Sequence, residues 1–259
     1  MELAGANKIN QYQLNKEIEN FILNKDAKKE SYSKSDIDYL QQYEGNGGQV
    51  KNGASGQGIL HEFYTPSFVV ELMWQLAQHY GYDGGSVLEP SVATGRILEY
   101  APNKNKIEAF EINPFSSRIA EITYPEVIIY RGYFETAFLQ SPRFTTRFPK
   151  FQSWLKGYPF SLVIGNPPFG KYANRYSSFF TQPKIKQIEI FFIYYGLQLL
   201  KKDGLLVYVV SSNFLRNGNT YNASKELIGQ ISELVDAYRL PPVFKYSDVP
   251  VDIIVLKRK

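Results

Sequence analysis

The sequence predicts an α/β fold built on a doubly wound, mostly parallel sheet. Seven short apolar runs, at 86–89, 107–111, 127–130, 160–165, 205–211, 234–240 and 251–257, each end in turn or polar residues. Helical patterns lie between several of them, most clearly at 185–200, and strand–helix alternation of this kind builds parallel sheets covered on both faces. The polar motifs fall just beyond the ends of the runs, where open α/β sheets hold their ligands.

Ahead of the sheet, residues 10–24 carry Tyr12, Leu14, Ile18, Phe21 and Ile22 at helical spacing, and 35–43 reads as a second short helix with Ser35 as N-cap. A segment rich in glycine and asparagine follows at 45–58, a loop by composition. It divides the chain into a helical N-terminal arm with its glycine-rich loop, 1–58, and a main domain, 59–259. Pro66 suits the first turn of a helix running to residue 80, whose apolar positions are Val69, Val70, Met73, Leu76, Ala77 and Tyr80. There is no internal repeat.

The 259 residues are 44% hydrophobic and 15% aromatic, enough for a sizeable core. No apolar run approaches the roughly 18 residues of a membrane helix, and the first residues lack the apolar stretch of a signal peptide. Without cysteine there is no disulfide, thiolate metal site or thiol nucleophile. Two imidazoles, His61 and His79, are too few for a histidine-based metal centre. The expectation is a cytoplasmic protein with no metal and no membrane contact. The net charge is +4, but its distribution says more. Residues 136–188 hold no Asp or Glu and include Arg143, Arg147, Lys150, Lys156, Lys171, Arg175, Lys184 and Lys186, interleaved with aromatics. Such a stretch suits a phosphate backbone with unstacked bases beside it; it also suits a solvated basic face over packed aromatics.

Asn166-Pro167-Pro168-Phe169 follows directly on the run 160–165. An exocyclic amine on a base is a poor nucleophile because its lone pair is delocalised into the ring. Two acceptors aimed at its N–H groups, the Asn166 side-chain oxygen and the Pro167 carbonyl, would draw the nitrogen toward tetrahedral character. The prolines preorganise those acceptors, and Phe169 offers a face for a flipped-out base. The plain alternative is a turn. In Glu89-Pro90-Ser91-Val92-Ala93-Thr94-Gly95, a strand-end carboxylate turns through small residues into a helix. Small residues let backbone amides approach a ligand, and the carboxylate suits the ammonium of a methionine moiety. Only Gly95 matches the glycine pattern of a nicotinamide-cofactor loop. Glu111, ending the next run, can take both hydroxyls of a ribose or be an ordinary strand-end acid.

His61-Glu62-Phe63-Tyr64-Thr65-Pro66, the loop ending at Gly95, Glu111, the motif at 166–169 and the segment 204–215 follow the order of N6-adenine DNA methyltransferases of the gamma type, which residues 60–259 resemble. Residues 39–48 look like the lead-in to methylase domains of large helicase-methylase proteins of phages and mobile elements. The resemblance implies a class I, Rossmann-like methyltransferase sheet of seven strands with an antiparallel last strand, using S-adenosylmethionine in a restriction-modification setting. It implies that Tyr64, Thr65 and Pro66 line the methionine end of the cofactor and that Glu89, Pro90, Ala93 and Gly95 form its main loop. Glu111 and Ile112 would hold ribose and adenine, with Phe134 packed on the adenine ring. Asn166, Pro167, Pro168 and Phe169 would form the catalytic motif, and Phe244 would be a second aromatic sandwiching the target base against Phe169. Lys171, Arg175, Lys184 and Lys186 would contact the DNA backbone.

Two departures accompany the likeness. Tyr133 stands where the family usually has an aspartate contacting the cofactor's adenine amine. The chain also stops after the run 251–257, where gamma-type enzymes continue into a target-recognition domain. The expected partners are therefore double-stranded DNA with a base flipped out, and a separate specificity or helicase subunit or further C-terminal region. Rival readings are the same chemistry on a protein glutamine or ribosomal RNA base amine, and a non-catalytic cofactor- or DNA-binding subunit.

Overall fold

Seven strands form one sheet in the order β3-β2-β1-β4-β5-β7-β6 in the computed structural model, which describes residues 3–44, 64–149, 152–216, 219–244 and 250–259. His61, Glu62, Phe63, Lys150, Phe151 and the glycine-rich segment 45–58 lie outside the described residues. The strands are β1 Val87–Glu89, β2 Ile107–Glu111, β3 Ile128–Arg131, β4 Phe160–Gly165, β5 Leu200–Ser211, β6 Ser232–Leu240 and β7 Val251–Arg258. Every residue of β1, β2 and β4 is buried, as in parallel strands covered on both faces, and the carboxylates Glu89, Glu108 and Glu111 are buried with them. β3, β2, β1, β4 and β5 pair in parallel. The last strand, β7, enters between β5 and β6 and is antiparallel to both.

The helices are α1 Leu3–Lys28, α2 Lys34–Leu40, α3 Ser67–His79, α4 Pro114–Thr123, α5 Ile188–Leu199 and α6 Asn219–Ile231. α3 lays Val69, Val70, Met73, Trp74 and Ala77 on one sheet face, in a core shared with Val87, Ile107, Leu162, Val207 and Ile253. α5 covers the other face. All twelve of its residues are buried, and Phe191, Phe192 and Tyr195 meet Phe134, Phe138, Tyr172 and Phe180 in an aromatic cluster.

Several boundaries differ from the sequence reading. Ser33, not Ser35, caps α2: its hydroxyl accepts the Asp36 amide at 3.2 Å while Asp36 accepts the Ser33 amide at 2.8 Å, a reciprocal capping box. Pro66 is the N-cap of α3 and not its first helical residue. No α-helix follows the loop after β1, only a 3₁₀ turn at Arg96–Leu98. Pro102 lacks the amide that a longer helix would require.

The arm docks on α4. Ile18, Ile22, Leu40 and Tyr43 enclose Ile119 in a separate apolar cluster. At its edge the Arg118 guanidinium donates to both Asp26 oxygens, at 2.8 and 2.7 Å, and Gln41 Nε2 donates to Thr123 Oγ1 at 2.9 Å. The ion pair is half-exposed, so the apolar cluster carries most of the docking energy. Truncating Ile22 to alanine is expected to cost about 2–5 kcal/mol and to make α1 the first site of limited proteolysis. Unchanged protease protection of α1 would show that this cluster does not hold the arm.

Candidate active site

The loops leaving β1, β2, β3 and β4 at their carboxyl ends converge on one cleft that is open to solvent. Its central joint is Glu111. One carboxylate oxygen accepts the Ala93 amide at 2.9 Å and the other accepts the Asn113 amide at 2.7 Å. The side chain at the end of β2 thereby ties the loop after β1 to the start of α4. Ala93 is held at φ +50°, a left-handed conformation unusual for a residue with a Cβ. Gly95 follows at φ +90°, and a Cβ there would sit 2.7 Å from the Tyr124 ring. Backbone and packing both require glycine at that turn.

Glu89 lies beneath this loop and does not line the cleft. It is 0% exposed; Oε1 accepts the Ser91 amide at 3.0 Å, while Oε2 has no hydrogen-bond partner. Burial pushes its pKa well up, and the nearby Glu111 charge adds to that. Gly165 makes room for it, since a Cβ on Gly165 would run into Glu89 Oε1. The Ser91 hydroxyl sits between Glu89 Oε1, at 3.5 Å, and the Asn166 carbonyl, at 3.4 Å, linking the loops after β1 and β4.

Asn166, Pro167 and Pro168 line the cleft. Phe169 is half-buried and lies off its wall. Beyond it the Gly170 carbonyl accepts the Ile188 amide at 2.9 Å and the Tyr172 amide donates to Lys186 at 2.8 Å, so the segment returns to α5. Tyr64, Thr65, Arg96 and Ser116 contribute to the wall of the cleft. The Tyr64 and Ser116 hydroxyls lie 3.1 Å apart, and the Arg96 guanidinium stands 5.1 Å over the Tyr64 ring. Ile112, Gly132, Tyr133, Phe134, Glu135 and Asn174 line the cleft as well.

Of the residues selected from the sequence, Tyr64, Thr65, Pro90, Ala93, Glu111, Ile112, Phe134, Asn166, Pro167 and Pro168 meet at the cleft. Pro66, Gly95 and Glu89 support it from behind. Phe244 is buried in the core beneath α3 and does not line the cleft. Lys171, Arg175, Lys184 and Lys186 are exposed, whereas Arg147 donates to the Phe179 carbonyl at 3.0 Å and packs over Phe180. The sequence reading gave no separate role to Ser91 or Arg96, which lie in or directly after the small-residue loop it selected, and it passed over Ser116, Glu135 and Asn174. Of these three only Glu135 carried a signal, standing two places after the departure at Tyr133. Among the described residues no helix is long and apolar enough to cross a membrane.

The sheet order and the cleft at the strand ends are those of the class I methyltransferase fold. The chain belongs to the Eco57I restriction-modification methylase family, whose model matches residues 101–244. It is 27% identical over 199 residues to the defense against restriction protein B of Escherichia phage P1, a match covering 74% of this chain and 8% of that protein. The chain thus spans a small part of that relative. Its fold is similar to that of a class I S-adenosylmethionine-dependent methyltransferase from Listeria monocytogenes, with TM-score 0.62 and 15% identity over 88% of this chain and 69% of the other. It is also similar to the methyltransferase subunit of a type I restriction-modification system from Streptococcus thermophilus, with TM-score 0.59 and 18% identity over 87% and 48% of the two chains. S-adenosylmethionine is therefore the expected cofactor. The cleft fits it: the Glu111 carboxylate on its wall is the kind of group that takes ribose hydroxyls, and Ile112 and Phe134 on the same wall offer apolar surface for the purine.

Two measurements test the joint. Glu111→Ala is expected to weaken S-adenosylmethionine binding by about 1–3 kcal/mol in calorimetry; undiminished affinity would remove Glu111 from the site. Glu89 holds its proton more tightly folded than unfolded, so its stabilising contribution is lost as pH rises from the ordinary carboxylate range through its raised value. Glu89→Gln cannot ionise, so its thermal midpoint should gain on the wild type as pH rises. A pH-independent difference between the two would show that Glu89 is ionised throughout.

Proposed function

We propose that this chain transfers a methyl group from S-adenosylmethionine to the exocyclic N6 amine of adenine in DNA. The observation that carries the reading is the placement of Asn166, Pro167 and Pro168 on the same cleft as Glu111 and the Ala93 loop, tied to that loop through Ser91. When bound, the cofactor would supply a methyl group on a positively charged sulfur, so that the amine lone pair could form the new carbon–nitrogen bond while the carbon–sulfur pair stayed on a neutral sulfur and one amine proton passed to solvent, with no acid required. The chain's part is to aim two acceptors at the amine and hold it in line, and positioning of this kind supplies much of a rate enhancement.

DNA is favoured as the bearer of the amine by the restriction-modification family and by the exposed cations Lys171, Arg175, Lys184 and Lys186, which follow the Asn-Pro-Pro-Phe motif. Phosphate contacts position a duplex without reading its sequence. Base readout then falls to a separate specificity or helicase subunit, or to a further region of a longer protein.

Asn166→Ala should keep cofactor binding and lose transfer by several orders of magnitude, because its acceptor matters mainly in the transition state. Labelled transfer to DNA, RNA and protein pools, with identification of the modified base, is the measurement. Label in RNA or in protein glutamine would replace the DNA reading with one of its rivals. If all four cations reach phosphates, log affinity for duplex DNA should fall against log salt with a slope of about −4, with little dependence on sequence. Tight, sequence-selective binding by this chain alone would overturn the division of labour.

A further inference from the structure

Glu135 is 2% exposed, yet it lines the cleft beside Gly132, Tyr133 and Phe134. Its side chain accepts a hydrogen bond from Asn174 Nδ2. Asn174 comes from a different part of the chain, the segment beyond Phe169, and lines the cleft as well. Its amide orientation is fixed, because Asn174 Oδ1 accepts the Tyr176 amide at 2.9 Å. An acceptor and a donor therefore stand side by side on the cleft that Ile112 and Phe134 also line. A carboxylate offers about four lone-pair sites, more than Asn174, the Glu135 backbone amide and the neighbouring Tyr172 hydroxyl can together occupy, and the second Nδ2 hydrogen is a further donor.

We propose that Glu135 and Asn174 together select the purine of the cofactor, Glu135 accepting from the exocyclic amine and Asn174 donating to the adjoining ring nitrogen. The inference rests on S-adenosylmethionine binding in this cleft. Adenine presents an amine donor next to a ring acceptor, and an acceptor–donor pair is its complement, as for an amide reading adenine. A purine with a carbonyl at that position turns an acceptor toward Glu135 and is rejected. Burial pushes the Glu135 carboxyl up, and a donor brought against it offsets the cost of burying it. Glu135 thereby supplies an acidic partner on the wall where Tyr133 stands in place of the family's aspartate.

The test is calorimetric binding of S-adenosylhomocysteine and of its inosine counterpart, which replaces the amine by a carbonyl oxygen. The wild type should prefer the adenosine compound by about tenfold or more, the span of one to two hydrogen bonds in a site built for them. Glu135→Gln can turn its amide to donate, and should bring the two affinities within about threefold. Asn174→Ala should narrow the preference while the chain still folds and binds S-adenosylhomocysteine, at a thermal midpoint lowered by the loss of one hydrogen bond, and it decides the matter if Glu135→Gln does not fold. An unchanged preference in the variants, or equal binding of both compounds by the wild type, would overturn the proposal and leave the methyltransferase reading standing. Binding of neither compound by the wild type would overturn the cofactor reading itself.

Discussion

The geometry of the cleft depends on one carboxylate. Glu111 ends a fully buried strand and spends both oxygens on backbone amides, Ala93 on one side and Asn113 on the other. Charge-assisted bonds of this kind are among the stronger ones available to a protein. They hold Ala93 in a left-handed conformation that a free loop would avoid, and a strained residue at a site persists only where its surroundings over-determine it. Because α4 starts at Pro114, with the Asn113 side chain accepting the Phe115 and Ser116 amides, the same carboxylate also sets where Ser116 stands beside Tyr64. Loops after β1 and β2 thus behave as one piece.

The second constraint is the room beneath that piece. Glu89 fits under the loop only because Gly165 has no side chain, and Gly165 is the last residue of β4, directly before Asn166. The position of the Asn-Pro-Pro segment and the position of the buried carboxyl are consequences of one contact. Ser91 closes the arrangement by reaching both. On the other sheet face the aromatic wall of α5 fixes Phe134 from behind, at 5.1 Å between the Phe134 and Phe192 rings. The apolar side of the cleft is therefore as rigid as the core it belongs to.

Much of this was legible in the residues. Strand runs of buried β-branched and aromatic residues announced the sheet, and the motifs at their ends announced the cleft, because both follow from local pattern and from the rule that ligands bind beyond carboxyl ends of strands. Capping was misplaced by two residues because Ser33 and Ser35 offer the same hydroxyl, and only Asp36 reaching back to the Ser33 amide decides between them. The 3₁₀ turn after Gly95 was missed because a small-residue loop after a strand commonly opens a helix, and Pro102 acts several residues downstream. Asn174 could not be read at all: nothing in Tyr172-Ala173-Asn174-Arg175 points to Glu135, and only the return of that segment to α5 brings the two together.

The basic, aromatic segment shows how composition mixes two physical roles. Arg147 donates to the Phe179 carbonyl and packs over the Phe180 and Tyr195 rings, so its charge serves the fold. Tyr172 stacks on Phe191 and Phe180 meets it edge-on within the core, and their burial leaves them no face for a base. Lys171, Lys184 and Lys186 stay in water, and Arg175 lies over Tyr133 and Tyr176 at the lip of the cleft. Solvated cations cost little to hold apart and gain from releasing counterions along a phosphate chain, whereas packed ones are already engaged. An even mixture of charge and rings in the sequence thus separates into a buried aromatic wall and an exposed cationic edge. The edge is carried by the same segment that returns Asn174 to Glu135, so the exposed cations and one member of that pair share one stretch of chain.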